Sequence, residues 1–361
     1  MTKLIRLSAA AIVLVGMGIV VHSSVPALGQ PCATAPPTDN TGIALGSGYT
    51  SLDQSEMQQV VEDIRSSGAH WIRFDFDWSY IESTQGTFDW SGTDRLVDTA
   101  TDSGLEVLGL ITYTPEWARD PSVAESDSHT RPADPNTFAT FAGLAAERYA
   151  DSVSSWEIWN EPNLRAFYNP VPDVTSYAEL LTAASTSIRE SQPNATIVSG
   201  GLSPATDNGT DISPTTFLTD LYEAGAGPQF DVVGMHPYSF PALPSDSLTQ
   251  SWNSFYRMRL MRDTMIENGD TTKSIWATEF GSPTGDGPDA VTEAVQAEIL
   301  QDGLNEARAL GFIAKVFVYS LQDRGSDTSD REQNFGLLDV NSDPKPAMDV
   351  LVAANKTGGC I

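Results

Sequence analysis

The chain is poor in the residues that build metal and redox centres. Its 361 residues include two cysteines and four histidines, with no HxH, HExxH or CxxC spacing. A protein-built zinc site therefore lacks ligands, and no metal or other cofactor is expected. Cationic side chains are also scarce: 20 Lys and Arg stand against 48 Asp and Glu, a formal charge of −28 at pH 7. A nucleic-acid backbone is bound through clustered Lys and Arg that release counterions, which excludes nucleic acid as a partner; anionic membrane surfaces are disfavoured for the same reason. The uncharged run Leu7–Val21 falls short of the roughly 20 residues that span a bilayer, so no stable membrane insertion is expected.

What is present is an ordinary globular composition, 40% apolar and 9% aromatic, which argues against disorder. Lys3 and Arg6 precede the Leu7–Val21 run, and Ser23, Ser24 and Pro26 lead to Ala27-Leu28-Gly29. Residues 1–29 read as a secretory signal peptide, leaving 30–361 as one domain, a monomer released outside the cell or held at its envelope. Cys32 and Cys360 sit near opposite ends of that domain, and in an oxidising compartment they suggest a bridge joining the ends. The pairing requires a fold whose termini meet.

Between Gly42 and Ala354, short runs rich in Val, Ile, Phe, Trp and Tyr alternate with longer helix-like segments. Strands are expected at 42–48, 70–76, 106–113, 155–161, 196–201, 231–238, 274–280 and 314–321. Helices are expected at 54–67, 93–103, 135–150, 177–191, 214–224, 252–267, 291–310 and 347–354. Gly68, Gly104, Gly225, Gly269 and Gly311 fall just after five of these helices, where a left-handed cap belongs. Eight βα units predict a (β/α)8 TIM barrel. A doubly wound open sheet is the runner-up, but no Gly-rich phosphate loop follows the first strand.

In such a barrel, chemistry sits at the C-terminal strand ends. Two carboxylates stand out there: Glu161 in Trp159-Asn160-Glu161-Pro162-Asn163, and Glu279 in Thr278-Glu279-Phe280-Gly281. The proline after Glu161 stops the strand and places that carboxylate at the rim. Two acids facing each other across a cleft suit glycosidic bond cleavage, where one protonates the leaving oxygen and the other supports an oxocarbenium-like centre. The bland alternative makes each a rim salt-bridge partner. Arg73, on the second strand, has two candidate partners: it would keep Glu279 ionised, or it would pair with Glu157 inside the barrel. Glu161, packed by Trp159 and Trp117, would be partly desolvated, as a proton donor needs. Among the aromatics near strand ends, Trp117 and Tyr113 are candidate sugar platforms.

These motifs resemble glycoside hydrolases of clan A, most nearly family 39 and next family 5. The resemblance runs through Trp71-Ile72-Arg73-Phe74-Asp75, Tyr113-Thr114-Pro115 with Trp117, Trp159–Asn163, His236-Pro237-Tyr238, Thr278–Gly281 and Phe335–Leu338 with Lys345-Pro346-Ala347. It implies Glu161 as acid/base, Glu279 as nucleophile and Asn160 on the sugar 2-hydroxyl. It also implies Arg73 against the nucleophile, Tyr238 as a hydrogen-bond donor to it, and His236 lining the site. The expected activity is retaining hydrolysis of β-linked polysaccharide or oligosaccharide, within the chain rather than from its end. The rivals are transglycosylation of cell-wall or exopolysaccharide glycans and a silent carbohydrate-binding barrel. Clan members often end the eighth strand with Trp; here Tyr319-Ser320 stands in its place.

Overall fold

The computed structural model describes residues 40–124 and 126–357. The expected signal peptide, Cys32 and Cys360 lie outside the described residues. Eight strands form a closed, all-parallel barrel in chain order: β1 (Thr41–Ala44), β2 (Trp71–Asp77), β3 (Glu106–Thr112), β4 (Ser155–Asn160), β5 (Thr196–Gly201), β6 (Val232–Met235), β7 (Ser274–Phe280) and β8 (Ile313–Tyr319). The last strand pairs with the first, Gly42 opposite Phe317, so the (β/α)8 reading holds and the open sheet does not.

Each strand expected from the sequence is present; 196–201 and 274–280 keep their expected bounds and the other six have altered ends. β1 stops at Ala44 because Gly46 and Gly48 take positive φ, a turn conformation that glycine adopts freely. The outer layer comprises α1 (Gln54–Ser66), α3 (Ser91–Asp102), α4 (Pro135–Arg148), α5 (Val174–Ser191), α6 (Pro214–Glu223), α7 (Ser254–Glu267), α8 (Glu293–Leu310) and α9 (Pro346–Thr357), with a single turn, α2 (Trp78–Ile81), after β2. Cap chemistry explains where they start. Asp53 and Glu56 form a capping box on α1, Asp173 starts α5 three residues earlier than expected, and Asn253 starts α7 so that Trp252 is left outside. The five post-helix glycines all take φ between 68° and 86°. The first strand is tied to the last helix where Thr41 Oγ1 donates to Asn355 Oδ1 at 2.7 Å. No helix among the described residues is long and apolar enough to cross a membrane.

The main core lies between strands and helices, while Trp71, Trp276 and Phe317 plug one end of the barrel lumen, the two indoles 5.6 Å apart edge to face. Lys315 Nζ caps that cluster 4.1 Å from the Trp71 ring centre. Above the plug, alternation along β2 aims Arg73, Asp75 and Asp77 inward.

Two interruptions of this alternation build the mouth of the barrel. On β4, Ile158 and Trp159 both join the apolar shell beneath the helices. Trp159 takes φ 70° and Glu161 φ 47°, and both Asn160 and Glu161 are thereby delivered to the lumen. On β7 the register with β8 shifts between Ala277 and Phe280. Trp276 faces the lumen and Ala277 and Phe280 face the helices, and the irregularity lets Thr278 and Glu279 both face inward. Bulges of this kind re-aim side chains beside active sites.

Candidate active site

The site is organised by Arg73, a fully buried cation at the centre of the lumen. Its Nε donates to Glu157 Oε2 at 2.5 Å, its Nη1 to Glu279 Oε1 at 2.8 Å and its Nη2 to Asn160 Oδ1 at 3.1 Å. Both partners considered for Arg73 are therefore real. Glu157 is itself fully buried, and its second oxygen accepts from the Gly201 amide at 2.9 Å and Thr278 Oγ1 at 3.0 Å. Buried charges persist only when paired and hydrogen-bonded in this way.

Glu279 is gripped from two sides. Tyr238 donates its hydroxyl to Oε2 at 2.7 Å, opposite the Arg73 contact, and His236 Nδ1 lies 3.5 Å from the same oxygen. Burial alone would raise this carboxyl. The charges of His236 and Arg73, with the hydrogen bonds from Tyr238 and Arg73, outweigh burial and hold it below the ordinary carboxylate range. His236 responds in the reciprocal direction. Burial pulls its imidazole down, but the Glu279 charge and a 2.9 Å contact from Nδ1 to Glu161 Oε1 lift it above its usual value.

Glu161 follows directly after β4 and its amide donates to the Gly201 carbonyl at 3.1 Å. One oxygen of Glu161, one of Glu279 and a ring nitrogen of His236 all lie within 4.8 Å of one another. The motif spacing in the sequence held no hint of a metal cluster, yet these three groups, two directly after β4 and β6 and one on β7, offer ligands at a distance a divalent cation could bridge. Arg73 beside Glu279 supplies a competing positive charge.

Glycine at 201 is required by proximity. A Cβ there would collide with the ring of His236 and lie 2.6 Å from Thr278 Oγ1, so a side chain would push the imidazole off both acids. The strained backbone at Tyr113 (φ 65°), Trp159 and Glu161 clusters at the same rim, where such cost, on the order of 1–3 kcal/mol each, is commonly found.

The aromatics divide. Tyr113 is half-buried, its ring edge to face with His129 at 4.6 Å and Trp159 at 6.1 Å, and burial together with the charges of Asp75, Asp77, Glu279 and Glu161 drives its phenol well above the usual value. Trp117 is also half-buried; its indole donates to the Glu82 carbonyl at 2.9 Å and meets Trp78 edge to face at 5.4 Å, which locks its orientation in the wall. Trp159 does not pack over Glu161 as expected from the sequence. Its indole donates to the Phe167 carbonyl at 2.8 Å and lies among Phe138, Tyr113 and Tyr168, because the positive φ turns it to the helix side. Tyr319, at the end of β8, packs on Phe335 at 5.3 Å, and burial with the Glu279 charge raises its phenol; it fills the place expected for Trp. Asp75 and Gly201 are parts of this site that the motifs did not single out. Asp75 was legible from its inward parity with Arg73, whereas Gly201 matters only through its approach to His236.

Two acidic side chains from β4 and β7, facing each other above a buried arginine at the C-terminal mouth of a (β/α)8 barrel, define a glycosidase scaffold. The sequence agrees: the model of glycosyl hydrolases family 39 matches residues 136–360, and the chain belongs to that family. Its fold is similar to a family 39 glycoside hydrolase from the gut symbiont Bacteroides cellulosilyticus WH2, with TM-score 0.71 and 22% identity over 89% of this chain and 64% of that one. It is also similar to a monomeric beta-xylosidase from Caulobacter crescentus CB15 (TM-score 0.69, 18% identity, 89% and 69% of the two chains). A family 1 β-glucosidase from Thermotoga maritima matches with TM-score 0.62 and 16% identity over 91% and 100%. The chain thus spans a little under two thirds of the Bacteroides protein's length.

Proposed function

We propose that this protein is a secreted, retaining glycoside hydrolase acting on β-linked, uncharged polysaccharide or oligosaccharide. The observation that carries the reading is the pair Glu161 and Glu279, whose nearest ligand oxygens come within 4.8 Å. That separation fits the ~5–5.5 Å of double displacement rather than the ~6.5–9.5 Å that leaves room for a water in an inverting site. The two environments differ in the required sense. Glu279 is held ionised by Arg73, His236 and Tyr238, which suits the attacking carboxylate. Glu161 bonds to His236 and lacks the arginine contact, which suits a proton carrier.

In this mechanism Glu279 attacks the anomeric carbon while Glu161 gives its proton to the departing oxygen. The resulting glycosyl ester is then hydrolysed by water that Glu161 deprotonates, releasing Glu279. Arg73, His236 and Tyr238 restrain the carboxylate so that little reorganisation is left for the reaction itself. Asn160, oriented by Arg73, is placed for the sugar 2-hydroxyl, and Tyr113 and Trp117 for its apolar face. The β-linkage is supported by the β-xylosidase and β-glucosidase among the structural relatives, and the uncharged substrate by the charge of −28.

The deciding experiment is Glu279→Ala with an activated aryl β-glycoside. Turnover disappears and azide restores it, giving a glycosyl azide of inverted anomeric configuration. Undiminished hydrolysis by the variant, or rescue with retained configuration, rejects the assignment.

A further inference from the structure

We propose that the buried ion pair of Lys345 with Asp323, together with the ring of Phe335, forms a set of positioning residues for the reaction: they hold Tyr238 in place, and the Tyr238 hydroxyl aims the Glu279 carboxylate. The inference rests on the glycosidase reading above.

The loop from β8 to α9 carries Phe335 to the wall of the site. Phe335 is buried, and its ring centre lies 5.7 Å from that of Tyr238 and 5.3 Å from that of Tyr319. Tyr238 in turn donates to Glu279 Oε2. Among the described residues, the other rings that meet Tyr238 are His236 at 6.4 Å and Phe240 at 5.9 Å. Both belong to its own stretch of chain, so the ring that supports Tyr238 from elsewhere in the fold is Phe335. A hydroxyl-to-carboxylate bond weakens steeply once its angle is lost, and a donor stabilises a reacting group without reorganisation only when its direction is fixed beforehand.

Phe335 is itself pinned on both sides by one cation. Lys345, immediately before α9, is buried, and its Nζ reaches Asp323 Oδ1 at 2.8 Å, Asp323 Oδ2 at 2.7 Å and Thr284 Oγ1 at 2.9 Å, which occupies all three donors of the ammonium. Asp323 Oδ1 accepts from the amide of Gly336 at 2.8 Å, the residue after Phe335. Thr284, in the loop after β7, donates its amide to the carbonyl of Asn334 at 2.9 Å, the residue before it. There is no slack at Gly336, where a Cβ would lie 2.2 Å from the Asp323 amide nitrogen and 2.3 Å from the Leu338 carbonyl oxygen. A buried ion pair adds little stability over apolar packing of the same volume. Among the described residues neither Lys345 nor Asp323 makes a hydrogen bond or ion pair with Glu161 or Glu279, so what the pair supplies is a single arrangement of the loop that carries Phe335.

The test is a double-mutant cycle read in kcat/KM on activated aryl glycosides, with Lys345→Met and Phe335→Leu each made in the wild type and in Tyr238→Phe. Residues that act through the Tyr238 hydroxyl lose their effect once it is gone, so each change is expected to lower kcat/KM roughly tenfold in the wild type and less than about twofold in Tyr238→Phe. A general loosening of the loop, or a lost contact with substrate, gives the same fold-loss in both backgrounds, and that result overturns the proposal, as does undiminished kcat/KM in the wild-type background. Should Lys345→Met fail to fold, Phe335→Leu decides alone. If the wild type cleaves no glycoside in the panel, the glycosidase reading falls and this inference with it; cleavage with equal losses in the two backgrounds removes the inference alone.

Discussion

Replacing Arg73 with Met tests the electrostatic design of the site most directly. The substitution keeps the stem volume and deletes a cation that is buried together with the fully buried Glu157. One oxygen of Glu157 retains Gly201 and Thr278, but the other loses its partner, and Glu279 loses one of its two grips. Breaking a buried pair by removing one member costs about 3–5 kcal/mol, because the remaining charge is stranded. For a fold of roughly 300 residues the unfolding entropy is about 0.6 kcal/mol per degree, so the thermal midpoint should fall by about 5–8 °C. A second change, Glu157→Gln, removes the stranded charge while preserving the bonds from Gly201 and Thr278, and should restore most of that loss. Activity should not follow stability back. Glu279 would still lack its cation, its carboxyl would rise, and the acid limb of the pH profile of kcat/KM would move to higher pH, since the group must be ionised to attack. Calorimetry of the single and double variants, with pH profiles on an activated glycoside, measures all three. A midpoint unchanged in the single variant, or an acid limb that returns to its original place in the double, would refute this account of Arg73.

Other consequences are more local. Tyr238→Phe deletes the 2.7 Å hydrogen bond to Glu279; bonds to charged groups are worth about 1.5–3 kcal/mol, so kcat/KM should drop roughly 10- to 100-fold with the thermal midpoint nearly unchanged, and equal activity would place the hydroxyl outside the reaction. Asp75 has its carboxyl raised from an ordinary 3.8 to about 7 in the folded chain. The folded state therefore holds its proton more tightly, and the carboxyl destabilises the fold increasingly as pH climbs from about 4 through 7. Asp75→Asn should raise the midpoint at pH 8 and leave it unchanged near pH 4, whereas a uniform shift at both would contradict the burial argument. Zn²⁺ at micromolar to millimolar concentration should inhibit competitively with substrate by bridging Glu161, His236 and Glu279, and a chelator should reverse it; inhibition that persists in His236→Phe would place the ion elsewhere.

The sequence by itself determined the barrel. Eight short apolar runs spaced by amphipathic segments, closed by glycines that only left-handed caps require, leave one economical architecture, and parity along β2 was enough to turn Arg73 and Asp75 inward. Position at strand ends also singled out Glu161 and Glu279, because a carboxylate at the tip of an apolar strand has little structural reason to be there. Alternation alone, however, puts Glu157, Trp159 and Glu161 on one face and sets Glu279 opposite Thr278, which would bury a tryptophan against the acid and send the second acid outward. Tertiary structure decided otherwise through the positive φ at Trp159 and Glu161 and the register shift before Phe280. Local pattern carries no record of such breaks, since their cost is recovered only by partners brought from elsewhere in the chain: the Phe167 carbonyl for the Trp159 indole, Arg73 and Tyr238 for Glu279, and the bare backbone of Gly201 making room for His236.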